Sequence, residues 1–187
     1  AGDALINYRT LIDTGATVTQ LVDDCAPLAT TLVKAELVVD ALFGTGLAPD
    51  ITGFLATVIE SINAAPCRKV ALDLPSGLHA DSGRVLGAAV RADYTFTFAH
   101  YKLGLCTPRG SAYAGRVRVC DIVQPNDPSV TGVSAELIEA VDVSRLLVRR
   151  GSTVHKSSAG RVMVVAGSPG KLGAALLSAH GAQRAGA

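Results

Sequence analysis

The chain has 187 residues, of which 49% are hydrophobic and 18% charged, so it holds enough apolar material for a packed domain and shows little tendency to disorder. Its 17 basic and 16 acidic residues give a formal net charge of +1, which offers no electrostatic attraction for nucleic acid or for a membrane surface. We therefore expect neither as a partner, and any ligand must be recognised by a local site.

Helical and strand patterns alternate along the first two thirds of the chain. A helix is predicted at 3–13, and another presents an apolar stripe between 54 and 62. Strands are predicted at residues 17–22, 37–40, 69–73, 94–98 and 116–122. Helices between strands predict an α/β fold with a Rossmann-like, doubly wound and mostly parallel sheet.

The composition changes after the last of these strands. Residues 124–129 are rich in turn formers, a short amphipathic segment follows at 135–147, and 149–153 have the composition of an exposed linker. A strand at 161–166, a Gly-rich turn and a helix from Ala174 are predicted next. One strand and one helix cannot bury both of their faces alone, so this segment is expected to be part of a second domain.

The ends of the chain predict a fragment. A helical pattern starts directly after Ala1, without an initiator Met, which predicts a missing preceding strand. The chain closes at Ala187 inside another helical pattern, with no stop signal beyond Gly186.

The cysteines and the apolar runs bear on location. Cys25, Cys67, Cys106 and Cys120 are far apart and form no C-x-x-C pair, a spacing that favours reduced thiols in a cytosolic protein over a zinc site or a disulfide framework. No basic-then-apolar leader opens the chain, and no apolar run approaches the ~18 residues that span a bilayer. A cytoplasmic location is expected.

Two carboxylates are predicted at the same edge of the sheet. Asp73 follows the apolar run 70–72 and precedes the Pro-Ser-Gly turn at 75–77, while Asp40 ends a strand and precedes the Gly-Thr-Gly turn at 44–46. Open α/β sheets bind ligands outside the carboxyl ends of their strands, so the two acids indicate a site.

Each of these residues also has a structural alternative. An Asp at the junction of a strand and a turn often bonds its own backbone, which would make Asp40 or Asp73 a turn-stabilising residue. Lys102 follows the strand that ends at Phe98 and can reach the same edge, but it can equally be a solvated surface lysine. The presence of two acids together favours function.

Other motifs give weaker evidence of a function. Gly167 to Lys171 lacks the four residues that a Walker A loop places between its glycines, and Leu172 stands where that loop needs Ser or Thr. The 44–46 turn lacks the third glycine of the dinucleotide fingerprint, which weakens a standard dehydrogenase interpretation. The four histidines are isolated, and surface or satisfied partly buried roles are the default for them.

Taken together, the motifs resemble the YjeF N-terminal domain, the family of the NAD(P)H-hydrate epimerases. The segments that carry the resemblance are 39–47, 71–78, 81–83, 92–93 and 102–105. Residues 1–4 look like the tail of the family's Asn-Asn-Gly-Gly-Asp-Gly loop, with Ala in place of two glycines and without the asparagines. Residues 155–187 resemble the opening of an ADP-dependent NAD(P)H-hydrate dehydratase, a ribokinase-like domain. We accordingly divide the chain into an epimerase domain at 1–147 and the beginning of a dehydratase domain at 148–187.

The resemblance implies an enzyme of metabolite repair. Its substrate would be hydrated NADH or NADPH, whose R and S forms at nicotinamide C6 it would interconvert, and a fused dehydratase using ADP or ATP would restore the cofactor from the S form. Asp73 would be the general acid/base and contact substrate, with Lys102 as its charge partner or orienting group, and Asp40 and Ser76 would bind a potassium ion. The dinucleotide phosphates would be lined by Gly44, Thr45, Gly46, Leu47, Ala48, Pro49 and Asp50.

A different class of function stays open at this stage. Some domains of this fold have lost catalysis and serve as dimerisation or protein-interaction modules. The paired acids and Lys102 argue against that alternative, because a non-catalytic module has no need of them. A homo-oligomer and the preference between the two hydrated cofactors are left open.

Overall fold

The structure is a computed structural model that describes residues 2–122, 135–147 and 161–186. The chain divides into two compact units, residues 1–133 and 134–187. This division precedes the domain boundary predicted after residue 147, and the assignment of an activity to each domain stays a prediction. The predicted turn-rich segment at 124–129 and the linker at 149–153 lie outside the described residues, as does His155.

The first unit is an α/β structure built on a parallel sheet. Its helices are α1 (Asp3–Asp13), α2 (Ala26–Lys34), α3 (Gly53–Ala64), α4 (Leu103–Cys106) and α5 (Pro108–Ala114). Its strands are β1 (Leu37–Asp40), β2 (Arg68–Leu72), β3 (Tyr94–Phe98) and β4 (Arg116–Cys120). The strands lie in the order β1-β2-β3-β4, and each neighbouring pair is parallel. The predicted Rossmann-like α/β class is confirmed.

One face of the sheet is buried, and it carries Asp40 and Thr97, which lie at the candidate site. Asp40, Ala71 and Thr95 lie side by side in register, and all three are nearly inaccessible to solvent. Thr97 follows Thr95 on the same face, because alternate residues of a strand point the same way, and it is equally buried. On the opposite face Val39 is 54% exposed. The apolar core that includes α3 has as its buried members Leu32, Ile51, Val58, Ile59, Ile62, Ala65 and Val90.

Two predicted strands are wrong. Residues 17–22 and 161–166 form no strand, and almost all of their side chains are exposed. An extended segment becomes a strand only when a neighbour pairs with its backbone, and period-2 patterning cannot supply that neighbour. The predicted helix from Ala174 is confirmed: among its described residues the second unit contains α6 (Ala140–Leu146) and α7 (Gly173–Arg184).

Strand β2 ends one residue earlier than its sequence pattern indicates. Asp73 has φ +66°, in the left-handed region, so it cannot continue an extended strand. Its N–H still donates to the Phe96 carbonyl at 2.7 Å, as the next bond of the ladder with β3 would. The chain therefore turns sharply at Asp73 itself, and this turn is the first element of the site.

The sequence-based expectations about cysteines and membrane spans can be compared with the structure. All four cysteines are free, as expected for reduced thiols. None of the helices in the described ranges is long and apolar enough to cross a membrane.

The turn after β2 is fixed by the segment that returns to the sheet. The Ser76 carbonyl accepts the N–H of Val90 at 2.9 Å, and the Gly77 carbonyl accepts that of Leu86 at 2.8 Å. Gly77 has φ +89°, and a Cβ at this position would overlap the carbonyl oxygen of Ala88. This position therefore requires glycine for both backbone conformation and space.

Replacing Gly77 by alanine should lower the free energy of unfolding by about 2 kcal/mol or more, because strain at positive φ adds to the clash with Ala88. Gly44→Ala is the matched control, since a Cβ at Gly44 meets nothing within 4 Å. Urea unfolding of the two variants measures the difference. Equal losses in both would show that the 75–90 turn is not held in the way described here.

Candidate active site at the carboxyl ends of the strands

The first element of the site is a buried pair formed by Asp40 and Ser76, each 1% exposed. The Ser76 hydroxyl donates to Asp40 Oδ1 at 2.6 Å, and the Ser76 N–H donates to Asp40 Oδ2 at 2.8 Å. The Phe43 N–H in turn donates to the Ser76 hydroxyl oxygen at 2.9 Å. Asp40 at the end of β1 thus holds the Pro-Ser-Gly turn that follows β2, and the predicted metal ligands do lie together.

Asp40 carries a charge that no side-chain cation balances within the described part of the chain. Its remaining hydrogen bond is a longer one, 3.3 Å from the Leu42 N–H to Oδ1. A buried carboxylate is costly unless it is paired with a cation or well hydrogen-bonded. The Phe43 carbonyl oxygen lies 3.3 Å from Ser76 Oγ, which adds a carbonyl oxygen to the group. Carboxylate, hydroxyl and carbonyl oxygens fit a hard cation, so the residues present suit the predicted potassium ion.

The second element is Asp73, which the left-handed turn lifts out of the strand. Its side chain keeps 21% of its surface exposed, whereas Asp40 is closed off. All hydrogen bonds to its side chain reach one oxygen: Oδ1 accepts the Phe98 N–H at 3.1 Å and an N–H of the Lys102 ammonium, and the Thr97 hydroxyl lies 3.4 Å from it. Within the described residues Oδ2 accepts no hydrogen bond. Asp73 is therefore held by one oxygen and presents the other.

Lys102 is fully engaged in holding Asp73. Besides Asp73 Oδ1, its ammonium donates to Thr97 Oγ1 at 3.0 Å and to the Phe98 carbonyl at 2.9 Å. An ammonium has three N–H groups, so none is left for another partner. The structure thus brings together the two predicted catalytic residues and gives Lys102 the geometry of an orienting group.

The chain around Lys102 explains its placement. Lys102 directly precedes α4, whose Gly104 donates its N–H to the Ala80 carbonyl at 2.5 Å. A Cβ on Gly104 would come within 2.9 Å of the Ala80 carbonyl carbon. Only glycine permits this close approach, which fixes the start of α4 against the loop after the Pro-Ser-Gly turn.

The third element is the exposed loop at 44–50. No hydrogen bond within the described residues uses the N–H groups of Gly44, Thr45, Gly46, Ala48 and Asp50. Gly44 and Gly46 do not adopt positive φ, and a Cβ on either would meet nothing within 4 Å. Packing and backbone conformation therefore do not explain these two glycines, whereas close approach by a ligand would. Free N–H groups in a turn suit an anion.

Asp50, the last predicted member of this loop, differs from the others. Its carboxylate lies 3.7 Å from a guanidinium nitrogen of Arg84, and both side chains are about half exposed. An acid repels phosphate, so Asp50 can line a phosphate site only through its N–H or with its charge offset by Arg84. Sequence reasoning missed Arg84, as well as the buried Thr97, because neither lies in a motif whose function was assigned.

The described histidines are at the surface or hydrogen-bonded to the backbone, as the sequence predicted. His79 Nδ1 accepts the N–H groups of Asp81 and Ser82 at 3.2 and 3.3 Å, which caps the turn at 79–83. His100 and His180 are exposed.

Comparison of the sequence with known proteins gives matches over much of the chain. Residues 1–104 match the family described as YjeF-related protein N-terminus. The bifunctional NAD(P)H-hydrate repair enzyme Nnr of Moorella thermoacetica is 45% identical over 157 residues, which cover 83% of this chain and 30% of that protein. The enzyme of the same name from Thermofilum pendens is 38% identical over 188 residues, covering 100% of this chain and 35% of that protein.

A shorter relative carries a single activity in its name. The NAD(P)H-hydrate epimerase of Levilactobacillus brevis is 52% identical over 91 residues, which cover 49% of this chain and 42% of that protein. The chain thus spans between 30% and 42% of the length of these three relatives.

Ser76→Ala should lower the free energy of unfolding by about 1.5–3 kcal/mol, the usual cost of removing a hydrogen bond to a charged group. The loss follows because Asp40 stays buried with one donor fewer. Ser111 is the matched control: it is exposed and its hydroxyl donates only to the Pro108 carbonyl, so Ser111→Ala should stay within ~0.5 kcal/mol of wild type. Urea unfolding that shows equal small losses would mean that the Asp40 carboxylate does not depend on Ser76.

Proposed function

This chain belongs to the family of YjeF-related protein N-termini, and on that premise we propose that it interconverts the R and S forms of hydrated NADH or NADPH at C6 of the nicotinamide ring. The observation that carries the proposal is Asp73, held through Oδ1 by Lys102 and Phe98 while Oδ2 stays free. A carboxylate with one fixed and one free oxygen is suited to carry a proton to and from a bound molecule. The names of the relatives give no support to the alternative of a non-catalytic interaction module.

The proposed epimerisation requires only one acid/base group. The reacting carbon carries a hydroxyl and the ring nitrogen, so it inverts either by opening of the ring or by loss and return of water. In ring opening, a carboxylate accepts the hydroxyl proton as the carbon–nitrogen bond breaks, and it passes that proton to the ring nitrogen, which keeps the electron pair of the bond. Ring closure on the other face reverses both transfers. In water loss, a protonated carboxyl group gives its proton to the departing hydroxyl, and readdition of water on the other face restores it. One acid/base group serves both routes, and Asp73 Oδ2 is that group in our proposal.

Lys102 orients rather than transfers protons in this scheme. Its three N–H groups already have partners, so donating one to substrate would break a bond that holds Asp73. Its positive charge lies beside Oδ1 and attracts the carboxylate, which helps to hold Asp73 in place.

The loop at 44–50 is proposed to hold the phosphates of the dinucleotide. Its unpaired N–H groups supply donors, and the open space above Gly44 and Gly46 lets phosphate oxygens approach the backbone. The loop begins four residues after Asp40 and is anchored at its other end, where the Ile51 N–H donates to the Leu86 carbonyl at 2.9 Å.

Asp40 and Ser76 are proposed to hold a potassium ion. The support is the buried carboxylate, which has no cationic side chain beside it in the described ranges, together with the Ser76 hydroxyl and Phe43 carbonyl oxygens. When bound, such an ion would supply positive charge where the Pro-Ser-Gly turn meets Phe43, directly before the loop at 44–50.

Two further proposals concern the longer protein. The alignment with the Thermofilum pendens enzyme covers the whole chain, including residues after 134, which supports a second activity, dehydration driven by ADP or ATP, for a protein that contains this chain. The four free thiols support a cytoplasmic location.

Asp73→Asn in the full-length protein should lower the catalysed epimerisation rate by about 100-fold, because an amide cannot accept and return the proton. Dinucleotide binding should persist, since Asn keeps an oxygen for Lys102 and Phe98. Chromatographic separation of the two epimers over time, corrected for spontaneous interconversion, measures the rate. Asp13→Asn, at an exposed position in α1, is the control. An unchanged rate in Asp73→Asn would overturn the assignment of the acid/base.

Potassium should raise the melting temperature of the wild-type protein, with a stabilisation of about 1.4 kcal/mol when its concentration is ten times its dissociation constant. Lithium at equal ionic strength serves as the control, because it is too small for an oxygen cage of potassium size. The effect should disappear in Asp40→Asn and shrink in Ser76→Ala. An equal shift with lithium, or an undiminished shift in both variants, would exclude this cation site.

A further inference from the structure

Thr97 is a buried polar residue at the site to which no role has yet been given. It lies one residue before the end of β3 and is 0% exposed, like Thr95 on the same face of the strand. Its hydroxyl oxygen accepts the Lys102 ammonium at 3.0 Å and lies 3.4 Å from both Asp73 Oδ1 and the His100 carbonyl oxygen. A hydroxyl has one proton, so it donates to only one of these two acceptors at a time.

The contact that matters most is the one Thr97 accepts. The Lys102 side chain is 19% exposed, so most of its ammonium's partners must come from the protein. Those partners are Asp73 Oδ1, Thr97 Oγ1 and the Phe98 carbonyl. Without the Thr97 oxygen, one N–H would have to turn toward water, and the ammonium would leave the position that fixes Asp73 Oδ1.

We propose that Thr97 is a positioning residue for the acid/base group of this enzyme. It accepts a hydrogen bond that keeps the Lys102 ammonium directed at Asp73 Oδ1, so that Asp73 Oδ2 faces the reacting carbon. Thr97 touches no substrate in this arrangement and acts only through Lys102 and Asp73. The inference rests on the proposed function, because it assigns Asp73 the proton transfer.

The chain offers a close control for this idea. Thr95 has the same residue type, strand, face and burial as Thr97, but its hydroxyl donates to the Ala114 carbonyl at 2.7 Å, away from Asp73 and Lys102. Thr→Val keeps the shape of the side chain and removes the hydroxyl at either position. Any general cost of losing a buried hydroxyl in β3 should therefore appear in both variants, whereas loss of positioning should appear in one.

The experiment is steady-state epimerisation by the full-length protein and its variants. Thr97→Val should lower kcat about tenfold or more with KM changed less than about twofold, because misplacing a reacting group affects the chemical step rather than binding. Thr97→Ser should recover most of that loss, since it restores an oxygen at the same position. Thr95→Val should keep wild-type kcat at a temperature well below its melting point.

A double-mutant cycle with Lys102→Met tests the route of the effect. If Thr97 acts through Lys102, Thr97→Val should cause little further loss of kcat once the ammonium is gone. Equal effects of Thr97→Val and Thr95→Val, failure of Thr97→Ser to recover activity, or an undiminished effect in the Lys102→Met background would each overturn the proposal. Failure of the proposed function is distinguishable, because the wild-type protein would then show no epimerisation above the spontaneous rate. Should Thr97→Val not fold, Thr97→Ala carries the same comparison.

Discussion

The buried carboxylate of Asp40 constrains the site more than any other group, because a charge that has left water must find its partners within the protein. It finds two of them in Ser76, whose N–H and hydroxyl reach both carboxylate oxygens. This fixes the Pro-Ser-Gly turn against the end of β1. Phe43, which leads into the Gly-Thr-Gly loop, then bonds to the Ser76 hydroxyl, so the loop and the turn share one anchor.

Asp73, three residues before Ser76, is the second aspartate of the site, and its surroundings differ from those of Asp40. Asp73 is held by one oxygen at the sheet edge and keeps the other in the open, whereas Asp40 has no exposed oxygen to offer. The difference comes from the backbone. Asp40 ends β1 in an extended conformation on the buried face, while Asp73 sits at φ +66° and turns out of the strand. Aspartate tolerates this left-handed conformation better than most residues, which makes it suitable for position 73.

The proposed acid/base group, Asp73, is supported by several layers of contacts rather than by a single one. Lys102 holds Asp73, and Thr97 and the Phe98 carbonyl hold Lys102. The register pairs Leu72 with Phe96, so β3 continues two residues past the end of β2 and brings Thr97 and Phe98 beside Asp73. Gly104 completes this arrangement by allowing α4 to start against the backbone of Ala80. Such support matters because proton transfer depends on the position of the carboxylate to a fraction of an ångström.

The sequence by itself determined the α/β class, the strands at 37–40 and 94–98, and the placement of Asp40, Asp73, Ser76 and Lys102 at one edge. These follow from local patterns, because apolar runs that end in a polar residue and a glycine turn mark the carboxyl ends of strands. Only the tertiary structure decided that 17–22 and 161–166 form no strand, since pairing depends on a neighbour. It also decided that Asp40 is buried and Asp73 open, and that Thr97 rather than Thr95 meets Lys102, because hydrogen bonds between distant segments leave no periodic signal in the chain.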